Sequence, residues 1–254
     1  MEIPILGRFP HQALRPGVRA VTRIGLAFLC ALAVTVPATA LQQPDRTSPF
    51  CSYRSYKRLL PRFLPVDSIA DVRVFPGRIS AAQRGEISRD LALGIGRSEL
   101  GRHMLYVPVD AKGKAHGLLR IHSEPGDHGL VFMAVFLDRD LRVSDYSVIQ
   151  YRGRAKAWLQ GRGDLGRRVR GADSKTLRSW LDATGGVLSP TGIAALGLAE
   201  SSTAERRIVV HLVRIAAKAI ATTERAWGTR MRALGYLAPR PPVEEAEETG
   251  CEQE

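Results

Sequence analysis

The chain has 254 residues, 44% of them hydrophobic and 24% charged, enough to bury one core without metal or disulfide staples. Its formal net charge of +12 suggests nucleic acid as a partner, but an aromatic content of 6% is lean for stacking bases along a groove. The arginines are scattered except over residues 162–170, so a solvated basic surface is the reading and no nucleic-acid partner is expected.

Residues 1–23 are basic, with Glu2 the only acid; residues 24–36 form an apolar run, and Ala38-Thr39-Ala40 gives a small-x-small cleavage pattern. Together they predict a secretory signal peptide over residues 1–40, cut before Leu41, and hence a periplasmic or secreted protein. The run falls short of the ~20 residues that span a bilayer, so no stable membrane span is expected after cleavage; an uncleaved anchor is the competing reading. Removing four arginines and Glu2 leaves a charge of +9. Cys51 and Cys251 then either pair, as an oxidising compartment permits, or stay as unrelated thiols; neither belongs to a C-x-x-C pattern.

Residues 41–65 read as a linker and N-terminal segment, with a short helix ending before Pro65. Residues 66–75 alternate apolar and polar until Pro76-Gly77. Ser80 caps a helix to Leu93, with Ile87 and Leu91 on one face. The glycine-rich stretch over residues 94–101 lacks the Gly-Lys-Ser/Thr ending of a phosphate loop and reads as a connector.

Four β-rich runs follow, over residues 104–110, 117–123, 130–138 and 141–151, parted by Lys112-Gly113-Lys114, Pro125-Gly126-Asp127 and Asp138-Arg139-Asp140. Residues 130–137 carry no polar side chain, so this strand should be central and covered on both faces. The expected object is a small antiparallel meander needing helices on at least one face. Asp138, Asp140 and Asp145 read as turn formers and a wet strand face.

Residues 155–160 make a short apolar-faced turn around Trp158, and residues 161–171 a Gly/Arg-rich loop that reads first as a solvated basic surface, with an anion grip through forked guanidinium donors as the alternative. A helix over residues 174–181 stops at Gly185-Gly186. Ser202 and Glu205 then form a capping box that opens a long helix. Its broad apolar stripe, including Ile208, Leu212, Ile215 and Ala219, should lie on the meander; Arg207, His211, Arg214 and Lys218 mark the opposite stripe. The folded domain is set at residues 66–236, followed by a disordered, Pro-rich and acidic tail over residues 237–254. The fold class is α+β: a small antiparallel meander packed against a long C-terminal helix and shorter helices.

No Gly-x-Ser-x-Gly elbow, His-Glu-x-x-His pair or Rossmann fingerprint is present, and no catalytic residue is assigned. His116, His122 and His128 are evenly spaced, but only His122 falls within a strand, so no metal site is expected.

Gly117-Leu-Leu-Arg-Ile, residues 130–138, residues 141–148 and Gly197-Leu-Ala-Glu-Ser-Ser-Thr-Ala before the long helix follow one another in an order that resembles the exported FMN-binding domain. That is the domain of electron-transport complex subunits and related periplasmic flavoproteins. The family pattern Ser-Gly-Ala-Thr-x-Ser-Ser places its Gly at Gly197 and its paired serines at Ser201 and Ser202. Leu198 stands where Ala is usual, and Ala199 where the flavin-linking Thr belongs, so no phosphoester can form there. The resemblance implies noncovalent FMN, electron transfer and a periplasmic redox partner. Gly197, Ser201, Ser202 and Thr203 would face the phosphate, and Gln150 and Arg152 would lie at the ring-contacting turn. A helix amino terminus with free N–H groups suits a phosphate on physical grounds alone. The alternative is a non-enzymatic periplasmic binding or interaction module that keeps the scaffold without the cofactor.

Overall fold

The computed structural model describes residues 56–96, 99 and 101–240. The expected signal peptide, Cys51, Cys251 and the acidic run lie outside the described residues.

Five strands form one antiparallel sheet in sequence order: β1 (Asp71–Ile79), β2 (Gly101–Val109), β3 (Leu118–Gly126), β4 (Gly129–Leu137) and β5 (Val143–Gln150). Among the described residues seven α-helices accompany it: α1 (Tyr56–Leu59), α2 (Ala81–Leu91), α3 (Lys156–Gly161), α4 (Gly163–Val169), α5 (Ser174–Ser179), α6 (Pro190–Leu196) and α7 (Thr203–Ala233). The meander packed on a long C-terminal helix is the α+β architecture expected. β4 is covered on both faces, as its unbroken apolar run requires. Val131, Met133, Val135 and Leu137 join the core beneath α7, while Ala134 and Phe136 meet Leu59, Leu60 and Phe63 on the other side. Residues 56–64, where the sequence predicts a short helix ending before Pro65, hold α1 and a following 3-10 turn packed on the sheet, with Leu59 and Leu60 buried. At the other end, Tyr236 and Leu237 are buried and both donate to Met231 O, so the fold runs past residue 236.

The first strand sits later than its alternation suggests. Residues Val66–Ser68 form a 3-10 turn, and β1 runs straight through Pro76-Gly77. β1 is an edge strand, where a missing N–H is tolerated. Gly77 is required by packing: a Cβ there would stand 2.4 Å from the Trp227 ring. Ser80 caps α2 with Gln83 in a reciprocal box, and the helix ends at Ala92 in the left-handed region (φ 46°).

Residues 161–171, expected as a loop, contain α4. Leu165 and Val169, four apart, are fully buried, and Asp164 in the first turn suits the helix dipole. Glycines and arginines mask that short apolar face. α6, which composition did not suggest, starts on a Ser189 cap and Pro190 and ends at Gly197 in the left-handed region (φ 65°).

The sheet is continuous in order but not in pairing. β1 and β2 pair over nine positions, as do β3 and β4, whereas β2 and β3 pair only at Leu105–Arg120 and Tyr106–Leu119. Beyond Arg120 the two strands part. α7 crosses this opening and also packs on α5, α2 and α3, so it is buried on nearly every side. Among the described residues, no helix is long and apolar enough to cross a membrane.

Candidate functional site

The opening between β2 and β3 is filled with charge. Arg120, His122 and Glu124 alternate along β3 and so share one face. His103 stands on β2, Glu99 precedes it, and α7 supplies His211, Arg214 and Lys218. Glu99, His103, Arg120, His122, Glu124 and Lys218 are each at most 2% exposed. Charged side chains are almost never so buried unless paired.

The pairing is continuous. Lys218 Nζ lies 3.0 Å from Glu99 Oε1 and 3.3 Å from Glu124 Oε2, bridging the two carboxylates. Glu99 also accepts from Gly96 N at 2.5 Å and His122 Nε2 at 3.0 Å. Glu124 accepts from Arg214 Nε at 3.0 Å and faces His211 Nδ1 at 2.5 Å. Arg120 donates to Met104 O at 2.6 Å and to Thr222 Oγ1, and lies over the Trp227 ring. That bond to Met104 O gives a β2 carbonyl a side-chain donor where the ladder is lost.

Burial pushes the Glu99 carboxyl up, but the His122 hydrogen bond and the Lys218 charge outweigh it and hold the group at about 2. Glu124 is likewise lowered: burial opposes its charge, but the His211 bond, Lys218 and Arg214 favour it more. Burial, with Arg120 adding to it, pushes His103 down to about 3, and burial also lowers His122 despite Glu99. Both histidines are therefore neutral. His103 Nε2 faces Glu99 O at 2.7 Å and His122 Nε2 faces a carboxylate; oxygens of either kind only accept, so Nε2 carries the proton in each ring. Each Nδ1 is left as a buried lone pair with no donor among the described residues.

The long helix thus differs from its sequence reading. Arg207, His211, Arg214 and Lys218 do not form a uniformly wet stripe: from His211 onward it turns into the sheet opening. The signal was present as two complementary patterns, Arg-x-His-x-Glu on a strand and spaced cations on a helix. Each reads as a solvated face when taken alone.

The start of α7, the predicted phosphate site, is a second locale. Ser202 Oγ accepts from Glu205 N at 3.3 Å, and Glu205 Oε2 accepts from Ser202 N at 2.7 Å, so the capping box is complete. Ser201 is half-buried, with its N–H on Leu198 O. Gly197 packs on the Arg168 guanidinium, 2.9 Å from where a Cβ would be. Thr203 is exposed and lines a recess of about 270 Å³ with Arg206, Arg207 and Val210; Val187, Leu188 and Ile193 form the opposite wall. Arg206 donates to Leu198 O and Ala199 O, and Arg207 pairs with Asp127.

Gln150 and Arg152 are exposed at the end of β5. Tyr151 between them is half-buried, and its hydroxyl is raised by burial and by Asp127, the partner of Arg207. The end of β5 and the second turn of α7 are therefore neighbours, but of the predicted site residues only Thr203 lines the recess. FMN fits in part. The arginines and Thr203 suit a phosphate, whereas about 270 Å³ is smaller than the ~300–1,000 Å³ of sites that enclose a drug-sized ligand. The Glu205 carboxylate already occupies the cap amide.

His116 Nε2 bonds to Ser68 O, His122 belongs to the buried network, and His128 is exposed on the β3–β4 hairpin, so the structure does not bring the three together. Among the described residues no group of three or more His, Cys, Asp or Glu is placed to hold a metal ion. Comparison with protein-family models, curated proteins and solved structures gives no match.

Proposed function

We propose that this chain is an exported binding domain whose ligand carries an anionic head and a short apolar body, held beside the first turns of α7. The observation that carries the reading is the recess, which combines Thr203, Arg206 and Arg207 with an apolar wall of Val187, Leu188 and Ile193. Guanidinium groups at a helix start favour an anion by charge and by geometry. The apolar wall, with Val187 59% exposed, favours a ligand that is more than a bare ion. The buried network supports the reading from below, because it fixes α7 against the sheet and so fixes the recess. FMN, which the sequence resemblance names, offers such a head in its phosphate. Electron transfer and a redox partner belong to the flavin reading alone.

The test is a titration of the full chain with FMN, riboflavin and inorganic phosphate, followed by flavin fluorescence and by competition. FMN is expected to bind, riboflavin to bind more weakly, and phosphate to compete. Arg207→Ala should weaken FMN binding by about tenfold, the loss of one charge-assisted hydrogen bond. Phosphate binding without FMN binding would leave a binding module and remove the flavin. Binding of neither would sink the anion site.

A further inference from the structure

We propose that the α3–α4 segment is a docking surface for an anionic lipid bilayer. Residues 152–170 carry seven cations and one acid, Asp164. The segment is ordered and amphipathic: Ala155 and Leu159 from its first half, and Leu165 and Val169 from its second, are buried in the core. Each pair is four apart, so one side of each helix faces inward and the other outward. The side chains of Arg152, Arg154, Lys156 and Arg167 have no hydrogen-bond or ion-pair partner among the described residues. In the sheet opening, by contrast, every cation donates to a protein oxygen. Arg167 also lines a recess of about 350 Å³ with Arg162 and Arg170, beside Asp145, Tyr146 and Ser147 on β5. Asp145 accepts from Tyr146 N at 2.8 Å, and the three guanidinium groups outnumber it, which gives a lipid phosphate a place to seat.

A bilayer suits this surface better than nucleic acid. The aromatic side chains of this surface, Tyr146, Tyr151 and Trp158, are half-buried and packed against the core, and Arg162 covers the Trp158 ring, so none is an open platform for a base. The cations lie on the turn leading into α3, on α3 and α4 themselves and at the ends of α4, beside the edge strand β5, an arrangement that suits anionic headgroups. The reading of residues 1–40 as a signal peptide makes the chain periplasmic or secreted, a location in which it would meet anionic membrane surfaces. None of Arg154, Lys156 or Arg167 lines the recess at α7, so this inference stands or falls apart from the ligand proposed there.

The test measures co-sedimentation of the full chain with phosphatidylcholine vesicles and with vesicles also containing phosphatidylglycerol. The four arginines of residues 1–23 also favour anionic lipid, so the deciding comparison is between the wild-type chain and variants that leave those residues unchanged. The anionic vesicles are expected to bind more tightly. Arg154→Glu/Lys156→Glu/Arg167→Glu should reduce that preference roughly 100-fold and leave neutral-vesicle binding unchanged. The milder Arg154→Gln/Lys156→Gln should reduce it roughly tenfold without disturbing the fold. Equal binding to the two vesicle types, or a preference that survives both variants, would overturn the inference. Full displacement by inorganic phosphate would point to a phosphate site, and by duplex DNA to nucleic acid; either result overturns it too.

Discussion

Along one stripe of α7 the Arg207 side chain is 57% exposed, whereas Lys218, three turns on, is 2% exposed. The same residue chemistry meets two environments. At the start of the helix, cations reach solvent and Arg207 has a single exposed partner, Asp127. In the middle, Lys218 sits between two buried carboxylates where β2 and β3 have parted. The difference teaches where charge sets stability and where it is available for recognition. A buried ion in a low-dielectric interior depends on its partners, while an exposed one is hydrated and nearly neutral for folding.

The comparison is tested most severely at Lys218. Lys218→Met removes the cation between Glu99 and Glu124 and leaves two buried carboxylates facing each other. The expected loss is about 3–5 kcal/mol by urea unfolding, the usual result of breaking one side of a buried pair. Adding Glu99→Gln should recover part of that loss, because the uncompensated charge is then smaller. A single variant within about 0.5 kcal/mol of wild type, the range of ordinary surface changes, would mean that the middle of α7 behaves like its start.

Acid provides the next test. His103 and Glu99 are both held down in the folded state, to about 3 and about 2. A group with a depressed folded pKa binds more protons when unfolded, so stability falls with falling pH across the interval between its two values. For His103 that window runs from its ordinary 6.5 down to about 3, and for Glu99 from 4.5 down to about 2. Stability is therefore fully present near pH 7 and declines as the pH drops through both windows. Each group adds at most ~1.4 kcal/mol per pH unit to the slope. His103→Gln keeps a polar side chain but removes the titration, and should flatten the upper part of the decline, from pH 6.5 to 4.5. An unchanged slope in urea midpoints over that interval would show that His103 is not a buried neutral imidazole.

The order of elements was legible because it rests on local chemistry. Turn residues at Pro125-Gly126-Asp127 and Asp138-Arg139-Asp140, the apolar run of β4 and the Ser202–Glu205 box each act within a few residues of themselves. The buried network was not legible, because it is a property of pairs far apart. Glu99 and Lys218 are 119 positions apart, and Glu124 and Lys218 are 94 apart. Burial of Arg120 or His122 follows only when β2 and β3 separate, and no residue in either strand signals that separation. α4 was missed for the opposite reason. Its signal is local but short, two apolar residues among glycines and arginines, and Leu165 and Val169 become a helix face only once the core accepts them. Of the predicted phosphate site, the helix start and its cap were readable. The arginines that give the recess its charge, Arg206 and Arg207, follow the cap directly but read as part of a polar stripe.

The smallest expected effect sharpens the contrast from the exposed side. Arg154→Ala and Arg167→Ala each delete a cation with no partner among the described residues and with its side chain in solvent. Each should move stability by no more than about 0.5 kcal/mol, in either direction, by thermal or urea unfolding. Slight stabilisation is the more natural sign, because seven cations crowd residues 152–170 and removing one relieves repulsion. That relief should fade in added salt, since exposed charges are screened within a Debye length of ~10 Å at 0.1 M. The loss from Lys218→Met should persist in the same salt, because its two carboxylates are out of reach of counterions. A salt-insensitive change at Arg154, or a salt-sensitive one at Lys218, would reverse the assignment of which charges the fold needs and which it displays.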